Sequence, residues 1–379
     1  MIYLDNAATK KMYSEVLEEM LPYMQEIYAN PSSIYRIANH AKAALREQQD
    51  RVAGLIHAQN TREIYFTSGG TESDNWALKA VFEAYGHKGK HIITQKTEHH
   101  AVIHTCRYLE SLGAEVTYLN VNEYGEVDLN QLKKAIREDT ILISIMYANN
   151  EIGTLLPIKE IGKIAKEKGI LFHTDAVQAL GAVKIDVQDE NIDLLSGSAH
   201  KLGGPKGVGF LYIKNGVKIH SLIHGGAQER ERRAGTENIS GIVGLGAAAH
   251  HAAQAFEEVN TRTKELRDYL WERIVQTIPD VSINGHPENR LPNNLNVQIT
   301  GTDSEAVLIM LDMKNICVSG GSACTSGSLD ASHVLAALGQ TPEQAKAAVR
   351  FTLSEENTKE ELDETVECLK EIVKKIRRL

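Results

Sequence analysis

The stretch Leu194-Leu-Ser-Gly-Ser-Ala-His-Lys201-Leu-Gly-Gly runs from a short apolar segment into a serine, a histidine and a lysine among glycines. A short apolar run that ends in this way predicts a buried strand followed by a loop. A lysine in a loop is usually solvated, but one held in a glycine-rich pocket beside a histidine can form a Schiff base. Lys201 is therefore a candidate catalytic residue, and its partners are expected at the ends of neighbouring strands.

Segments of the same kind recur through the first two thirds of the chain, and amphipathic stretches separate them. This alternation predicts an α/β domain with a largely parallel sheet, whose ligands bind beyond the carboxyl ends of the strands. The predicted strands are Ile64–Phe66, His91–Thr94, Val116–Leu119, Ile141–Ile145, Ile170–His173 and Leu194–Ser196, and the predicted helices include Ser73–Tyr85, Leu129–Glu138 and Ile158–Lys168.

The pattern changes from about Asn260 onward. A long helical stretch, Thr261–Gln276, leads into the short strands Leu295–Ile299 and Ala348–Leu353, and a charged amphipathic helix, Lys359–Arg378, follows. This order predicts a smaller α+β domain. We expect a large domain over residues 15–255 and a small domain over residues 256–379 together with residues 1–14.

Composition excludes several classes of protein. The chain has 379 residues, is 42% hydrophobic and carries a formal net charge of −9, which argues against nucleic acid as a partner. Its apolar runs are too short to span a bilayer, and its N-terminus lacks the features of a signal peptide. The four cysteines form no Cys-x-x-Cys pair. We therefore expect a cytoplasmic protein with reduced thiols and no membrane association.

Two further motifs lie where predicted strands end. Thr67-Ser-Gly-Gly-Thr71-Glu-Ser-Asp-Asn75 follows a strand and opens a helix, so its backbone amides could bind an anion, although a plain capped turn would look the same. The motif lacks the residue spacings that are typical of nucleotide-binding loops. Asp175 ends the strand Ile170-Leu-Phe-His-Thr-Asp175, and taken alone it could simply cap the next helix. Together, an anion cradle, a strand-end aspartate and a lysine 26 residues later are the parts needed for pyridoxal 5′-phosphate (PLP).

Cys324 lies among small residues in Val318-Ser-Gly-Gly-Ser-Ala-Cys324-Thr-Ser-Gly-Ser328. A cysteine is often a small buried hydrophobe, but so many glycines and serines favour an exposed loop and a reactive thiol. Cys317, at the end of an apolar run, is expected to be structural. His100 and His104 stand four residues apart but lack the His-Glu-x-x-His order of zinc enzymes, so we expect no metal site.

Motifs along essentially the whole chain resemble the NifS/IscS-type cysteine desulfurases, which are fold-type I PLP enzymes of the class V aminotransferase group. The resemblance implies an α/β fold with a large, mostly parallel domain and a smaller α+β C-terminal domain. Besides the stretches above, it rests on Tyr3-Leu-Asp-Asn-Ala-Ala-Thr9, Asn30-Pro-Ser-Ser33, Asn149-Asn-Glu-Ile-Gly153, Gly225–Thr236 and Val349-Arg350-Phe351.

The resemblance also implies the site residues. Lys201 would hold the PLP aldehyde, His99 would stack on the pyridine ring, and Asp175 would meet the ring nitrogen. Cys324 would accept sulfur from L-cysteine as a persulfide, leaving L-alanine. The remaining implied roles are phosphate binding by Gly70, Thr71, Ser198 and His200, contact with the ring hydroxyl by Asn150 and Gln178, substrate binding by Asn150 and Arg350, and contact of Thr236 with the partner's phosphate in a homodimer.

Other activities remain open on the same scaffold. The sulfur acceptor could be an iron–sulfur cluster scaffold or a tRNA thiolation protein. A selenocysteine lyase or another PLP β-lyase would share most of the motifs, although Cys324 favours sulfur. A non-catalytic sulfur carrier would have little use for Lys201 and Asp175.

Overall fold

A computed structural model describes residues 1–320 and 332–378. The strands are β1 Ile2–Tyr3, β2 Ile64–Thr67, β3 His91–Gln95, β4 Glu115–Leu119, β5 Thr140–Ser144, β6 Leu171–Asp175, β7 Leu194–Ser198, β8 Gly209–Ile213, β9 Val281–Ile283, β10 Asn294–Ile299, β11 Ile316–Cys317, β12 Ser319–Gly320 and β13 Ala348–Thr352. The helices are α1 Ser14–Gln25, α2 Arg36–Leu55, α3 Gly70–Tyr85, α4 His100–Ser111, α5 Leu129–Ala135, α6 Ile158–Lys168, α7 Gln228–Glu231, α8 Ile239–Gln254, α9 Phe256–Thr277, α10 Ser304–Asp312, α11 His333–Ala337, α12 Pro342–Lys346 and α13 Lys359–Ile376.

The central sheet has seven strands in the order β2-β8-β7-β6-β5-β3-β4. Strand β8 runs antiparallel to its neighbours β2 and β7, whereas the other pairs are parallel. The carboxyl ends of β2, β6 and β7 therefore lie on one edge. Because such strands are buried on both faces, they read as continuous apolar runs, which is the pattern that predicted them. The α/β fold prediction is confirmed.

A second sheet is antiparallel, in the order β12-β13-β10-β9. Its core includes apolar side chains of α9, α10 and α13 and also takes in Ile2 and Leu4 from the N-terminus. A separate core surrounds the seven-stranded sheet. Ala255 is the single residue between α8, which ends at Gln254, and α9, which begins at Phe256. We propose the boundary between the large and small domains at this residue.

The strands extend one or two residues beyond several predicted ends, so that Asp175 and Ser198 are the last residues of β6 and β7. Polar side chains stopped the apolar pattern, but the backbone there still pairs with the next strand. Helix α5 is shorter than predicted, because the chain becomes extended at Ile136. Within the described ranges, none of the helices has the length and apolar character needed to cross a bilayer.

Candidate active site

A cavity of about 340 Å³ opens at the carboxyl ends of β6 and β7. Its volume falls in the range of roughly 300–1,000 Å³ that is common for small-molecule sites. The sequence-predicted site residues that line it are Gly70, Thr71, His99, Asn150, Asp175, Gln178, Ser198, His200, Lys201 and Arg350. The fold thus brings together residues that are far apart in the chain.

The anion cradle lies where β2 turns into α3. Gly69 has φ +152°, a conformation that favours glycine. Gly70 begins the 16-residue helix α3, and a Cβ there would lie 2.6 Å from Cγ2 of Val177. Backbone amides at this helix N-terminus are consequently accessible at close range, and the helix dipole favours a negative charge. Ser198 lies beside the turn.

Lys201 ends a short 3₁₀ helix, Ala199–Lys201, that directly follows β7. Its Nζ donates hydrogen bonds to the carbonyl oxygens of Ala7 and Ala8, the latter at 2.8 Å. The neighbouring His200 contacts Thr9 Oγ1 through Nδ1 at 3.2 Å. Burial lowers the pKa of His200 to about 4, so its ring is neutral at pH 7. The N-terminal segment therefore holds the lysine at the cavity.

Asp175 is 6% exposed and ends β6. Its Oδ1 accepts a hydrogen bond from the backbone N–H of Val177 at 2.9 Å. Burial raises the pKa of this carboxyl, while the charge of a protonated His99 would lower it. Asp74, His99 and Asp175 bring ligand atoms within 4.8 Å of one another. A carboxylate held in a dry pocket pairs strongly with a cation such as a protonated ring nitrogen.

Three buried acids beside the cavity escaped the sequence prediction: Asp74, Glu98 and Glu151. Burial raises the pKa of each carboxyl, that of Glu151 to about 7. His173 does not neutralise Asp74, because burial lowers the pKa of its ring to about 3. Asp74 lies in the predicted anion cradle Thr67–Asn75, and Glu151 lies in the motif Asn149–Gly153. Sequence alone does not distinguish a buried carboxyl from a solvated one.

Arg350 lies on β13 and is 2% exposed. Its Nη2 donates to Asp5 Oδ1 at 2.8 Å and its Nη1 to the carbonyl of Asn150 at 2.9 Å. Among the residues that the structure describes, its buried Nε has no hydrogen-bond partner. A guanidinium that lines a cavity is suited to binding a carboxylate.

One predicted site residue, Thr236, falls elsewhere. Thr236 is exposed and does not line the cavity. Nearby, Arg233 donates to both carboxylate oxygens of Glu72, at 2.8 and 3.0 Å, which ties this segment to the first turn of α3. The role of Thr236 stays a prediction. Cys324 lies outside the described residues.

These residues fit PLP. The N-terminus of α3 offers a cradle for the phosphate, Asp175 a carboxylate for the ring nitrogen and Lys201 an amine for the aldehyde. Asp74 Oδ1 and Glu98 Oε2 are buried without a hydrogen-bond partner among the described residues. Such orphaned acceptors are what a site built around a cationic ligand would leave.

The chain is similar to known proteins over most of its length. The aminotransferase class-V family profile matches residues 2–365. A "Cysteine desulfurase IscS" from Methanosarcina thermophila is 55% identical over 378 residues, covering 100% of this chain and 93% of its own. A structure titled "NIFS-LIKE PROTEIN" matches with a TM-score of 0.93 and 38% identity, over 98% of this chain and 99% of that one. Another, "SspA in complex with cysteine", has a TM-score of 0.83 and 37% identity, over 94% and 100%. The chain belongs to the class-V aminotransferase family and, within it, to the PLP-dependent cysteine desulfurases.

Proposed function

We propose that this protein removes sulfur from L-cysteine, releases L-alanine and carries the sulfur as a persulfide on Cys324. The observation that carries the proposal is that Lys201, Asp175 and Arg350 line one cavity. An amine, a buried carboxylate and a carboxylate-binding guanidinium are the groups needed to activate an amino acid on PLP. The names of its close relatives and the cysteine complex of a similar structure support cysteine as that amino acid.

The chain's own residues orient the substrate and move its protons. PLP, when bound, supplies a sink for the electrons left at the substrate Cα. Arg350, which lines the cavity, binds the substrate carboxylate. The Lys201 amine takes the proton from Cα and later returns a proton. With PLP bound, Asp175 would hold a proton on the ring nitrogen and so keep the ring electron-poor.

Sulfur transfer is assigned to Cys324. Its thiolate attacks the substrate sulfur, so that an S–S bond forms and the Cβ–S bond breaks. The electron pair of the broken bond stays with Cβ, which takes up a proton to give alanine. Burial raises the pKa of Cys106, Cys317 and Cys368. Because the thiolate is the nucleophile, these three cysteines are poorer candidates.

The proposal includes a homodimer and a protein that accepts the sulfur. Met24, Tyr28, Ile34 and Tyr35 are large apolar side chains at least 55% exposed, and such a surface is typical of an interface. In the proposed homodimer, Thr236 is expected to contact the partner's phosphate site. The acceptor would be an iron–sulfur scaffold or a tRNA thiolation protein. A reduced compartment such as the cytoplasm suits a persulfide on a free thiol.

The test compares Cys324→Ser with Cys317→Ser. Each variant is incubated with L-cysteine, alanine is quantified, and the added sulfur is located by mass mapping. We expect Cys324→Ser to retain PLP but lose the persulfide and nearly all alanine, because a hydroxyl is a poor nucleophile towards sulfur. Cys317→Ser should match the parent. Normal alanine formation by Cys324→Ser, or the sulfur on another cysteine, would refute the proposal.

A further inference from the structure

Glu151 is a buried acid that the mechanism above does not use. It is 2% exposed and lines the cavity. Asn149 Oδ1 accepts a hydrogen bond from its backbone N–H at 2.9 Å, and the side-chain amides of Asn294 and Asn296 donate to its carbonyl at 3.3 and 3.1 Å. These contacts fix the backbone of Glu151 on both sides at the wall of the cavity.

The side chain of Glu151 lies between the large domain and α11. Ser332 Oγ donates to its Oε2 at 2.5 Å, and Ser332 also caps α11 by accepting from the backbone N–H of Leu335 at 3.2 Å. Arg350 on β13 and His99 ahead of α4 act on Glu151 by lowering its pKa when they carry a charge, and Lys201 and Asp175 line the same cavity. From α11, His333 reaches the same cavity, but burial lowers the pKa of its ring, so that it brings no charge at pH 7.

The charge of Arg350 is already matched before substrate arrives. Its Nη2 pairs with Asp5 at 2.8 Å. A substrate carboxylate beside Arg350 would add a second anion, and an ionised Glu151 on the wall of the same cavity would add a third. Arg350 Nη1 contacts the carbonyl of Asn150, the residue directly before Glu151, and like charges gathered in a low dielectric repel one another strongly. One carboxyl must be neutral for the substrate to bind well.

We propose that Glu151 takes up a proton when the substrate carboxylate binds beside Arg350, and that its charge thereby controls substrate affinity. It is a positioning residue, since it acts through the charge balance of Arg350. The inference rests on the proposed function, because it takes an amino acid carboxylate as the ligand of Arg350. Burial raises the pKa of Glu151 to about 7, whereas Asp5 is more exposed and directly paired.

The pH dependence follows from the sign of this linkage. Below about pH 7 Glu151 is neutral and affinity is greatest. Above that pH the free carboxyl is ionised and must bind a proton with the ligand, which weakens affinity by up to about tenfold per pH unit. The hydrogen bond from Ser332 lowers the pKa of Glu151, so removing it should move the onset of weakening to higher pH.

The experiment titrates the PLP-loaded protein with 3-(methylthio)propionate, whose thioether does not ionise, between pH 6 and 9. Calorimetry in two buffers of different ionisation heat gives both the Kd and the proton uptake. We expect the Kd to rise above about pH 7 and uptake to approach one proton per site, by the linkage above. For Glu151→Gln, the Kd should not change with pH and no proton should be taken up on binding. The neutral 3-(methylthio)propionamide should show no pH dependence of its Kd and no proton uptake with any variant.

The matched control is Glu190→Gln. Glu190 also accepts a hydroxyl hydrogen bond, from Tyr147 at 2.7 Å, and burial raises its pKa, but it does not line the cavity. The Glu190→Gln variant should retain the pH profile of the parent. If Glu151→Gln fails to fold, Ser332→Ala serves as the second test, and its loss of affinity should begin at a higher pH than in the parent. A flat parent profile, or a Glu151→Gln profile equal to the parent's, would overturn the inference. Failure of the parent to form alanine from cysteine would instead refute the proposed function.

Discussion

The two ends of the cavity are built in different ways. At the cofactor end, Gly70, Asp175 and Lys201 all come from strand ends and turns of one sheet. At the substrate end, Arg350 meets Asp5 across 345 residues of sequence, and Glu151 meets Ser332 across 181. A local pattern can therefore predict the cofactor end, whereas contacts between sequence-distant residues determine the substrate end.

The two ends also differ in charge. The cofactor end gathers buried acids, Asp74, Glu98 and Asp175, whose pKa values are raised by burial. The substrate end is centred on a buried guanidinium, that of Arg350. A site of this kind selects a cationic ring at one end and a carboxylate at the other. Substitutions at the cofactor end should abolish chemistry, and those at the substrate end should mainly weaken binding.

The largest effect is expected for Lys201→Ala at the cofactor end. Without the amine, nothing takes the proton from the substrate Cα, so alanine formation should fall to background. Lys206→Ala changes an exposed lysine of the same glycine-rich stretch that does not line the cavity. This control should retain activity. Substantial alanine production by Lys201→Ala would remove this lysine from the mechanism.

Asp175→Asn should reduce the rate of alanine formation less than Lys201→Ala does. The amide keeps the shape and can still accept from the backbone N–H of Val177, but it cannot stabilise a cationic ring nitrogen. Groups that control a proton in this way commonly contribute roughly 10²–10⁴-fold to rate. Steady-state alanine formation would measure the loss, and the visible absorbance would check that PLP is retained. A rate near that of the parent would place the ring partner elsewhere.

Arg350→Lys is expected to have the smallest effect on the chemical step. An ammonium keeps the charge but loses the planar donors, and hydrogen bonds to charged groups are worth about 1.5–3 kcal/mol, so KM should rise roughly 10- to 100-fold while kcat changes less. The control Arg273→Lys alters an arginine that pairs with Asp363 at 2.7 Å outside the cavity. A loss in kcat alone would contradict the division between the two ends.

Much of the fold was predictable because parallel strands buried on both faces leave continuous apolar runs. Lys201 and Asp175 were predictable because strand ends in such sheets converge. Glu151 and Asp5 were quoted within motifs, yet their roles were missed, because burial and pairing with Ser332 or Arg350 depend on how the small sheet packs against the large one. Thr236 was predicted from resemblance alone, and its position in a single chain is exposed.

The most direct measurement is to locate the lysine that carries the cofactor. The protein is saturated with PLP, reduced with borohydride to fix the cofactor covalently, digested and analysed by mass spectrometry. We expect one adduct, on Lys201, which ends the 3₁₀ helix after β7 and lines the cavity with Asp175. An adduct on Lys206 or Lys10 instead, or the absence of any adduct from protein that forms alanine, would contradict it.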